Sequence, residues 1–358
     1  MYHWNVMKEI KSTDYSIYFK NDGYSELFKF IKLKNYSKIF IHLDTNTHKL
    51  CLKVFLNQVQ EFNYHSIISK AGEENKNIES CVKLWNNLSE LNADRKSLII
   101  NLGGGVVGDM GGFVASCYKR GIDFVNIPTT LLSMVDASVG GKTGIDLGVL
   151  KNQIGTFYDP KIVIIDPLYL ETLDESELLS GYAEVFKHSI ISSLNTFDNL
   201  ISKNISLDFK DLKTIKNSIE IKNNIILIDR KELKERKALN FGHTLGHAIE
   251  SYFLNTEKKL LHGEAIAIGI ILASYISNKT VGFSTEDMNK IKSHLMIFYK
   301  KITFTSSEIK GITKLLIHDK KNSHGKITFV LIKEIGRPVY DFEINNELII
   351  DSFKYYSI

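Results

Sequence analysis

Compact apolar runs alternate with segments of helical periodicity over the first half of the chain. Five runs have the length and continuous apolar character of buried strands: Lys38–Asp44, His65–Ser69, Ser97–Leu102, Asp123–Pro128 and Lys161–Asp166. Between them, apolar residues recur at helical spacing, in one segment that reaches about Phe62 and in another over residues 77–91. Continuous apolar strands that alternate with helices predict a mostly parallel sheet covered on both faces.

The pattern changes after about Leu173. From the segment DESELLSGYAEVFKHSIISSL onward the apolar positions mostly follow a helical period, and Asp174 with Glu177 suits the start of a helix. The longest apolar stretch, Ala265–Ile276, has twelve residues, which is too short for a membrane span and predicts a buried helix. We place the domain boundary near Thr172, which predicts an α/β domain over residues 1–172 and a helical domain over residues 173–358.

Length, charge and cysteine content narrow the class of protein. A chain of 358 residues is long enough for two domains with full cores. Its 45 basic and 41 acidic residues leave a net charge of +4, and without a long basic run this does not predict a nucleic-acid partner. The three widely spaced cysteines favour neither a disulfide framework nor a zinc knuckle. No apolar signal segment opens the chain, so we expect a cytoplasmic protein without membrane contact.

A glycine-rich segment, NLGGGVVGDMGG, occupies residues 101–112 and contains six glycines. Gly103, Gly105 and Gly108 have the G-x-G-x-x-G spacing that brings backbone close to a dinucleotide pyrophosphate. A tight turn with close packing explains such a motif about equally well. The preceding strand, the following helix and Asp109 favour phosphate binding, because backbone N–H groups converge at the start of a helix.

Asp44 and Asp123 are the two candidates for binding the ribose of such a dinucleotide. Asp44 ends a predicted strand, where it can accept hydrogen bonds from ribose hydroxyls. Asp123 lies twenty residues after Gly103, which is the usual separation, but it opens a strand and should lie at the other edge of the sheet. We therefore predict that Asp44 is the ribose ligand.

A second candidate site surrounds two lysines in loops bounded by glycines. Lys142 follows a Gly-Gly pair, and Lys151 and Asn152 lie in the segment GVLKNQIG. Polar residues that precede them are Arg120, Thr129, Thr130 and Asp136. Loops at the carboxyl edge of an α/β sheet bind ligands, and lysine suits a phosphate or a carboxylate. A solvent-facing basic loop would explain one lysine, but it explains the combination of Thr, Gly and Lys poorly.

Three histidines form the third candidate site. His243 and His247 are four residues apart, so both imidazoles lie on one face of a helix and can reach one metal ion. His262 opens the next apolar helix, and Glu184 is an acidic candidate on the first helix of the second domain. Each histidine taken singly is more often a capping or core residue. Together they predict a metal site, and spacing alone assigns both His243 and His247 to it.

These motifs resemble the 3-dehydroquinate synthase family of the shikimate pathway. The similarity is carried in order by GGGVVGDMGGFVAS, RGIDFVNIPTTLLSMVDASVGGKTGID, KNQIGTFYDP, GYAEVFKHSII, LNFGHTLGHAIE and LHGEA, and it covers nearly the whole chain. The resemblance implies an N-terminal Rossmann-like α/β domain with a mostly parallel sheet, an all-α C-terminal domain and an active site in the cleft between them. It also implies NAD, one divalent metal ion (zinc or cobalt) and a phosphorylated sugar acid as substrate. We further predict a homodimer.

The resemblance assigns three groups of residues. The implied metal ligands are Glu184, His243 and His262, whereas His247 matches a residue that acts on the substrate. The implied NAD contacts are Asp44, Asn46, Glu73, Lys76, Gly104, Gly105, Val106, Asp109, Thr129, Thr130, Lys142, Lys151 and Thr172. The implied catalytic and substrate-binding residues are Arg120, Asp136, Lys142, Lys151, Asn152, Lys187, Lys222, Arg236, Asn240 and His247, with Lys320 or Lys321. Ala71 replaces an aspartate that is frequent in the family, so one cofactor contact is expected to differ.

The implied reaction converts 3-deoxy-D-arabino-heptulosonate 7-phosphate to 3-dehydroquinate and phosphate. A hydroxyl is transiently oxidised by NAD, phosphate is eliminated, the hydride is returned, and an intramolecular aldol step closes the ring. Other sugar phosphate cyclases share the cofactor and metal sites, but the match at Arg236 and Asn240 favours a substrate with a carboxylate. A metal-dependent polyol dehydrogenase of the glycerol dehydrogenase group would not need the basic cluster.

Overall fold

A computed structural model of the chain describes residues 9–148, 150–202, 209–316 and 327–358. The chain divides into two compact units, one with residues 1–174 and 210–223, the other with residues 175–209 and 224–358. The first division falls two residues beyond Thr172, where the sequence pattern changes. Residues 210–223 belong to the first unit again. The sequence pattern did not predict this return, because these residues follow the same helical period as their neighbours.

The first unit is an α/β domain. Its elements up to residue 165 are β1 (Glu9–Lys11), β2 (Ser16–Phe19), α1 (Lys20–Lys34), β3 (Lys38–Asp44), α2 (Thr45–Leu50), α3 (Leu52–Gln58), β4 (His65–Ser69), α4 (Ile78–Glu90), β5 (Ser97–Gly103), α5 (Gly105–Cys117), β6 (Asp123–Pro128), β7 (Lys142–Leu147), β8 (Leu150–Phe157) and β9 (Ile162–Ile165). Seven strands form one sheet in the order β1-β2-β9-β6-β5-β3-β4, in which only β1 and β2 pair antiparallel. Every residue of β5 is buried, as its continuous apolar run predicts. The mostly parallel sheet is confirmed.

Two local predictions in this unit are wrong. The helix expected to reach Phe62 ends at Gln58, because Val59 is extended and the chain then packs Phe62 edge-on against Phe55. The segments around Lys142 and Lys151 are not loops: they form the antiparallel hairpin β7–β8. Its outer strand is mostly exposed, so it lacks the apolar run by which the other strands were found.

The second unit is mainly helical. The remaining elements of the chain are α6 (Glu175–Ser192), α7 (Leu194–Ile201), α8 (Leu212–Ile228), α9 (His243–Phe253), α10 (His262–Val281), α11 (Thr285–Phe298), α12 (Ser306–Leu315), β10 (Thr328–Glu334), β11 (Arg337–Glu343) and α13 (Asn346–Ser357). The part of α8 up to Asn223 belongs to the first unit. The helical character is as predicted, and the hairpin β10–β11 is an addition that the sequence pattern did not indicate.

Helix α10 is the central helix of this unit, and thirteen of its twenty residues are buried. It contains the apolar stretch Ala265–Ile276, which is thus a buried helix as predicted. Within the described ranges, no helix combines the length and the apolar content needed to cross a membrane.

Candidate cofactor and metal sites

The glycine loop joins β5 to α5 at the carboxyl edge of the sheet. Gly103 ends the strand, Gly104 is the extended N-cap and Gly105 opens the helix. A Cβ on Gly103 would lie 2.5 Å from the Val107 side chain, so packing within the protein requires that glycine. A Cβ on Gly108 would meet no protein atom within 4 Å. The open space at the first turn of α5 therefore suits a ligand that approaches the backbone N–H groups, as a pyrophosphate does.

Asp44 lies beside this loop in the sheet, since β3 and β5 are parallel neighbours whose carboxyl ends meet at one edge. The Asp44 carboxylate also caps α2, because its Oδ1 accepts hydrogen bonds from the backbone N–H of Asn46 at 2.9 Å and of Thr47 at 2.7 Å. Asp123 opens β6 and lies at the opposite edge, where its Oδ2 accepts a hydrogen bond from the Tyr36 hydroxyl at 2.6 Å. Asp123 therefore lies at the edge of the sheet where it was expected, and the choice of Asp44 as the ribose ligand stays a prediction.

Lys76 joins the start of α5 to the hairpin. Its Nζ donates to Asp109 Oδ2 at 2.7 Å and to Asn152 Oδ1 at 2.6 Å, and the side chain is only 4% exposed. Burial alone would lower the pKa of Lys76, but the carboxylates of Asp109 and Glu73 more than offset it and raise that pKa above its ordinary value. Burial raises the pKa of Asp109, and Lys76 opposes that shift. A buried ammonium thus lies one helical turn from the glycine loop.

The hairpin contributes two further predicted residues to this cluster. Lys151 Nζ lies 3.4 Å from Glu73 Oε1. Asn152 has a left-handed backbone, with φ of 52°, and its N–H donates to Asp146 Oδ1 at 2.6 Å. Lys76, Asp109 and Asn152 thus come from three segments and form one hydrogen-bonded group.

A second buried lysine, Lys222, contacts the segment that follows β6. Thr129 follows this strand and donates its N–H to the Gly103 carbonyl at 3.0 Å, and Thr130 caps the next turn through Ser133. That turn leads into a π-helical segment, Ser133–Ala137, and such segments are frequent at functional sites. Asp136 within it accepts hydrogen bonds from Lys222 Nζ, at 2.8 Å to Oδ1 and 2.6 Å to the carbonyl.

Three further predicted residues of the first unit lie on elements whose positions are known. Arg120 follows the carboxyl end of α5, a helix of 13 residues, and so lies roughly 20 Å from Gly104. Arg120 therefore follows the end of α5 that is remote from the glycine loop, and its contact with the substrate stays a prediction. Lys142 pairs with Phe157 at the open end of the hairpin, whereas Lys151 lies next to its turn. Thr172 is exposed at the end of the helical turn Pro167–Thr172.

The metal candidates converge from three helices of the second unit. Glu184 lies on α6, while His243 and His262 are the first residues of α9 and α10. The Nε2 atoms of His243 and His262 lie 3.2 Å and 3.6 Å from Glu184 Oε1. Helices α6 and α10 approach closely because Gly263 has no side chain: a Cβ there would lie 2.2 Å from the Ser180 carbonyl oxygen.

The hydrogen bonds around these side chains fit a cation. His243 Nδ1 donates to the Phe241 carbonyl at 3.2 Å, which leaves Nε2 with a lone pair when the ring is neutral. Glu184 Oε1 is buried and has no hydrogen-bond partner among the described residues. Burial would raise the pKa of Glu184, but Lys187 and His243 hold it well below its ordinary value. An ionised oxygen and imidazole nitrogens that face one another are the donor set that zinc takes.

His247 lies in the same cluster. Its ring centre is 5.1 Å from that of His243 and 5.6 Å from that of His262, and nitrogen atoms of all three rings lie within 4.8 Å of one another. Geometry therefore permits His247 as a ligand as well as Glu184. The interpretation of His247 as a residue that acts on the substrate stays a prediction.

The other predicted residues of this unit have defined partners. Lys187 Nζ pairs with Glu184 Oε2, and both side chains are buried. Arg236 is 2% exposed and donates from Nη1 to the Arg230 carbonyl at 2.5 Å. Asn240 donates to Glu232 Oε1. Lys320 and Lys321 lie outside the described residues.

Two family models match the chain in succession. The model described as 3-dehydroquinate synthase N-terminal matches residues 66–180, and the one described as 3-dehydroquinate synthase C-terminal matches residues 181–322. The chain belongs to the 3-dehydroquinate synthase family. The 3-dehydroquinate synthase of Parabacteroides distasonis is 40% identical over 335 residues, which cover 93% of this chain and 95% of that protein. The 3-dehydroquinate synthase of Leptospira interrogans serogroup Icterohaemorrhagiae is 38% identical over 357 residues, which cover 96% and 95%.

Solved structures share the fold at lower identity. A 2-deoxy-scyllo-inosose synthase complexed with carbaglucose-6-phosphate, NAD+ and Co2+ has a TM-score of 0.84 at 24% identity, with 97% of this chain and 99% of that chain covered. The 2-epi-5-epi-valiolone synthase ValA from Streptomyces hygroscopicus, with NAD+ and Zn2+ bound, also has a TM-score of 0.84, at 23% identity and with 97% and 98% covered. The resemblance to the 3-dehydroquinate synthase family and the predicted fold class are confirmed.

Two buried polar features beside the predicted sites were not predicted from the sequence. Glu250, on α9, accepts a hydrogen bond from His262 Nδ1 at 3.1 Å. A polar row crosses four neighbouring strands of the sheet beneath the glycine loop: Ser69, His42, Asn101 and Asn126. His42 Nε2 lies 3.2 Å from Ser69 Oγ, its Nδ1 lies 3.2 Å from Asn101 Oδ1, and Asn101 donates to Asn126 at 3.0 Å. His42, Asn101 and Asn126 each interrupt an otherwise apolar strand, which was the available signal.

Proposed function

We propose that this chain catalyses the 3-dehydroquinate synthase reaction, in which 3-deoxy-D-arabino-heptulosonate 7-phosphate becomes 3-dehydroquinate and phosphate. The observation that carries the proposal is the group Glu184, His243 and His262, in a member of this family. An ionised, buried oxygen, for which the described part of the chain offers no hydrogen-bond partner, faces two imidazole nitrogens there. The conversion needs both a hydride acceptor and a Lewis acid, and the chain has a candidate site for each.

NAD would be held at the carboxyl edge of the parallel sheet. The pyrophosphate would lie against the backbone of Gly104, Gly105 and Val106, where Gly108 leaves open space. The ribose hydroxyls would donate hydrogen bonds to Asp44 Oδ2, since Oδ1 already caps α2. The buried ammonium of Lys76 supplies positive charge next to Asp109. Contacts from Asn46, Glu73, Thr129, Thr130 and Thr172 are part of the same proposal.

The divalent ion would be held by Glu184, His243 and His262. Three protein ligands with an open position are the arrangement of a catalytic metal site. When bound, NAD supplies a reversible hydride acceptor and the metal ion supplies a Lewis acid that polarises an oxygen of the substrate. The chain's own residues then have to bind the two anionic ends of the substrate and move protons.

Charged side chains would bind the two ends of the substrate. A phosphate and a carboxylate require several cations, and candidates in the second unit are Lys187 and Arg236, both at most 2% exposed. Lys222 is held by Asp136 in the first unit, and Lys142, Lys151, Asn152, Asn240 and Arg120 complete the proposed set. His247 would transfer a proton, since imidazole titrates near neutral pH.

The experiment measures phosphate release and NADH absorbance together. With the heptulosonate phosphate, Zn2+ or Co2+ and a trace of NAD, we expect one phosphate per substrate consumed and no NADH in proportion. The Lys142→Ala variant should release phosphate far more slowly, and EDTA should abolish the activity. NADH formed in proportion to substrate, with no free phosphate, would instead indicate a polyol dehydrogenase.

A sugar phosphate without a carboxylate separates this reaction from that of other cyclases. Glucose 6-phosphate should give little phosphate release, because Arg236 and Asn240 are proposed to bind a carboxylate. Efficient turnover of that substrate would assign the chain to another cyclase activity. The predicted homodimer is tested by sedimentation equilibrium, and the predicted cytoplasmic location by fractionation of cells that express the chain.

A further inference from the structure

We propose that Glu250 is a positioning residue for the metal centre, which fixes the ring of His262 so that its Nε2 faces the ion. The proposal rests on the proposed metal site and adds a residue outside its ligand set. Glu250 lies on α9 seven residues after His243, which is two helical turns along the same face. One helix therefore carries both a proposed ligand and the group that orients another ligand.

The hydrogen bond between the two side chains has a defined direction. Glu250 Oε2 lies 3.1 Å from His262 Nδ1, and an ionised carboxylate can only accept, so Nδ1 must donate. The other ring nitrogen, Nε2, lies 3.6 Å from Glu184 Oε1. In the neutral ring that nitrogen carries the lone pair, which is the form that binds a metal ion.

The burial of Glu250 supports this role. The residue is 4% exposed, and a buried carboxylate is costly unless hydrogen bonds compensate for the lost water. His243 is oriented differently, because its Nδ1 donates to the neutral carbonyl of Phe241. A carboxylate behind the ring makes imidazole a stronger donor to the metal than a carbonyl does. Glu250 therefore both orients His262 and strengthens it as a ligand.

Close packing of the two helices maintains this geometry. A Cβ on Gly246 of α9 would lie 2.7 Å from the side chain of Ile266 on α10, and a Cβ on Gly269 of α10 would lie 2.1 Å from the Gly242 carbonyl oxygen. Gly246 and Gly269 thus allow α9 to approach α10. That approach brings Glu250 within hydrogen-bond distance of His262.

The test compares Co2+ binding by Glu250→Ala, Glu250→Gln and the unchanged full-length chain. Affinity is measured by competition with a chromogenic chelator, and the visible absorption of bound Co2+ reports its ligand geometry. Loss of such a supporting carboxylate typically weakens metal binding about 10- to 100-fold. We expect that loss for Glu250→Ala together with an altered Co2+ spectrum. Glu250→Gln should lie between the two, because its amide oxygen can still accept from Nδ1.

Glu264→Gln is the matched control. It removes a carboxylate from the helix that carries His262, yet glutamine can keep the capping hydrogen bond to the Leu261 N–H. Its Co2+ affinity and spectrum should match those of the unchanged chain. A variant that only folds poorly would show a smaller competent fraction with the original affinity and spectrum, which would contradict the proposal.

The experiment distinguishes failure of the Glu250 proposal from failure of the proposed metal site. Unchanged affinity and spectrum in Glu250→Ala, while Glu184→Gln loses the ion, would overturn the role of Glu250 and leave the metal site in place. Failure of the unchanged chain to bind Co2+, or binding that persists in Glu184→Gln and His243→Ala, would overturn the proposed metal site itself.

Discussion

Replacement of Glu184 by glutamine in the metal-free chain tests whether the buried charges of Glu184 and Lys187 compensate each other. Glu184 has no exposed surface, and Lys187, which pairs with its Oε2, is 1% exposed. The glutamine keeps the shape of the side chain but removes the charge that compensates the Lys187 ammonium. Breaking one side of a buried ion pair costs about 3–5 kcal/mol, because the other charge stays out of water without compensation. We expect Glu184→Gln to lose roughly that much free energy of unfolding.

Variants of Lys187 measure how strongly the two charges are coupled. Lys187→Met should cost less than Glu184→Gln, because the imidazoles of His243 and His262 face Glu184 and can compensate its charge when protonated. The double variant Glu184→Gln/Lys187→Met removes both charges, and such paired replacements are often close to neutral. Its stability should therefore lie within about 1 kcal/mol of that of the unchanged chain.

The assay is urea unfolding in the presence of EDTA, followed by far-UV circular dichroism, for the four chains of this double-mutant cycle. The coupling free energy between the two positions should be several kcal/mol. If the two single losses simply add in the double variant, the side chains are not a coupled pair, and the account of the site as a charge-balanced cluster is wrong.

Three further outcomes are expected. His247→Asn should keep its bound zinc, measured by atomic absorption, while kcat falls about 10²- to 10⁴-fold, because a proton-transfer group is lost and no ligand is removed; loss of zinc in step with activity would make His247 a ligand. Lys76→Met should weaken NAD binding by calorimetry on the order of tenfold, because Asp109 is left uncompensated near the pyrophosphate, and unchanged affinity would place NAD elsewhere. Burial lowers the pKa of His42 to about 4, so the unfolded chain takes up a proton below its ordinary pKa of 6.5 while the folded chain does not. Stability relative to His42→Gln should fall by roughly 2 kcal/mol between pH 7 and pH 5 in urea unfolding, and a pH-independent difference would show that His42 is not buried and neutral.

The local sequence pattern was sufficient to predict most strands of the sheet and to identify the family. The strands Lys38–Asp44 and Ser97–Gly103 are mostly apolar on both faces, as expected for strands of a parallel sheet that helices cover on both sides. The glycine spacing around Gly105 and the i, i+4 histidines at 243 and 247 are likewise readable in a single segment. In such cases the residues that define the feature are neighbours in the chain.

Tertiary structure decided which of these residues meet and in what protonation state. The hairpin β7–β8 could not be predicted from its outer strand, since mostly exposed positions carry no apolar period. Arg120 and Gly104 are close in sequence, yet the length of α5 separates them. Glu250 and His262 are twelve residues apart, and only the close approach of α9 to α10 brings their side chains within 3.1 Å. Sequence periodicity records which face of an element is buried, whereas the partner that a buried polar group finds depends on the packing of distant elements.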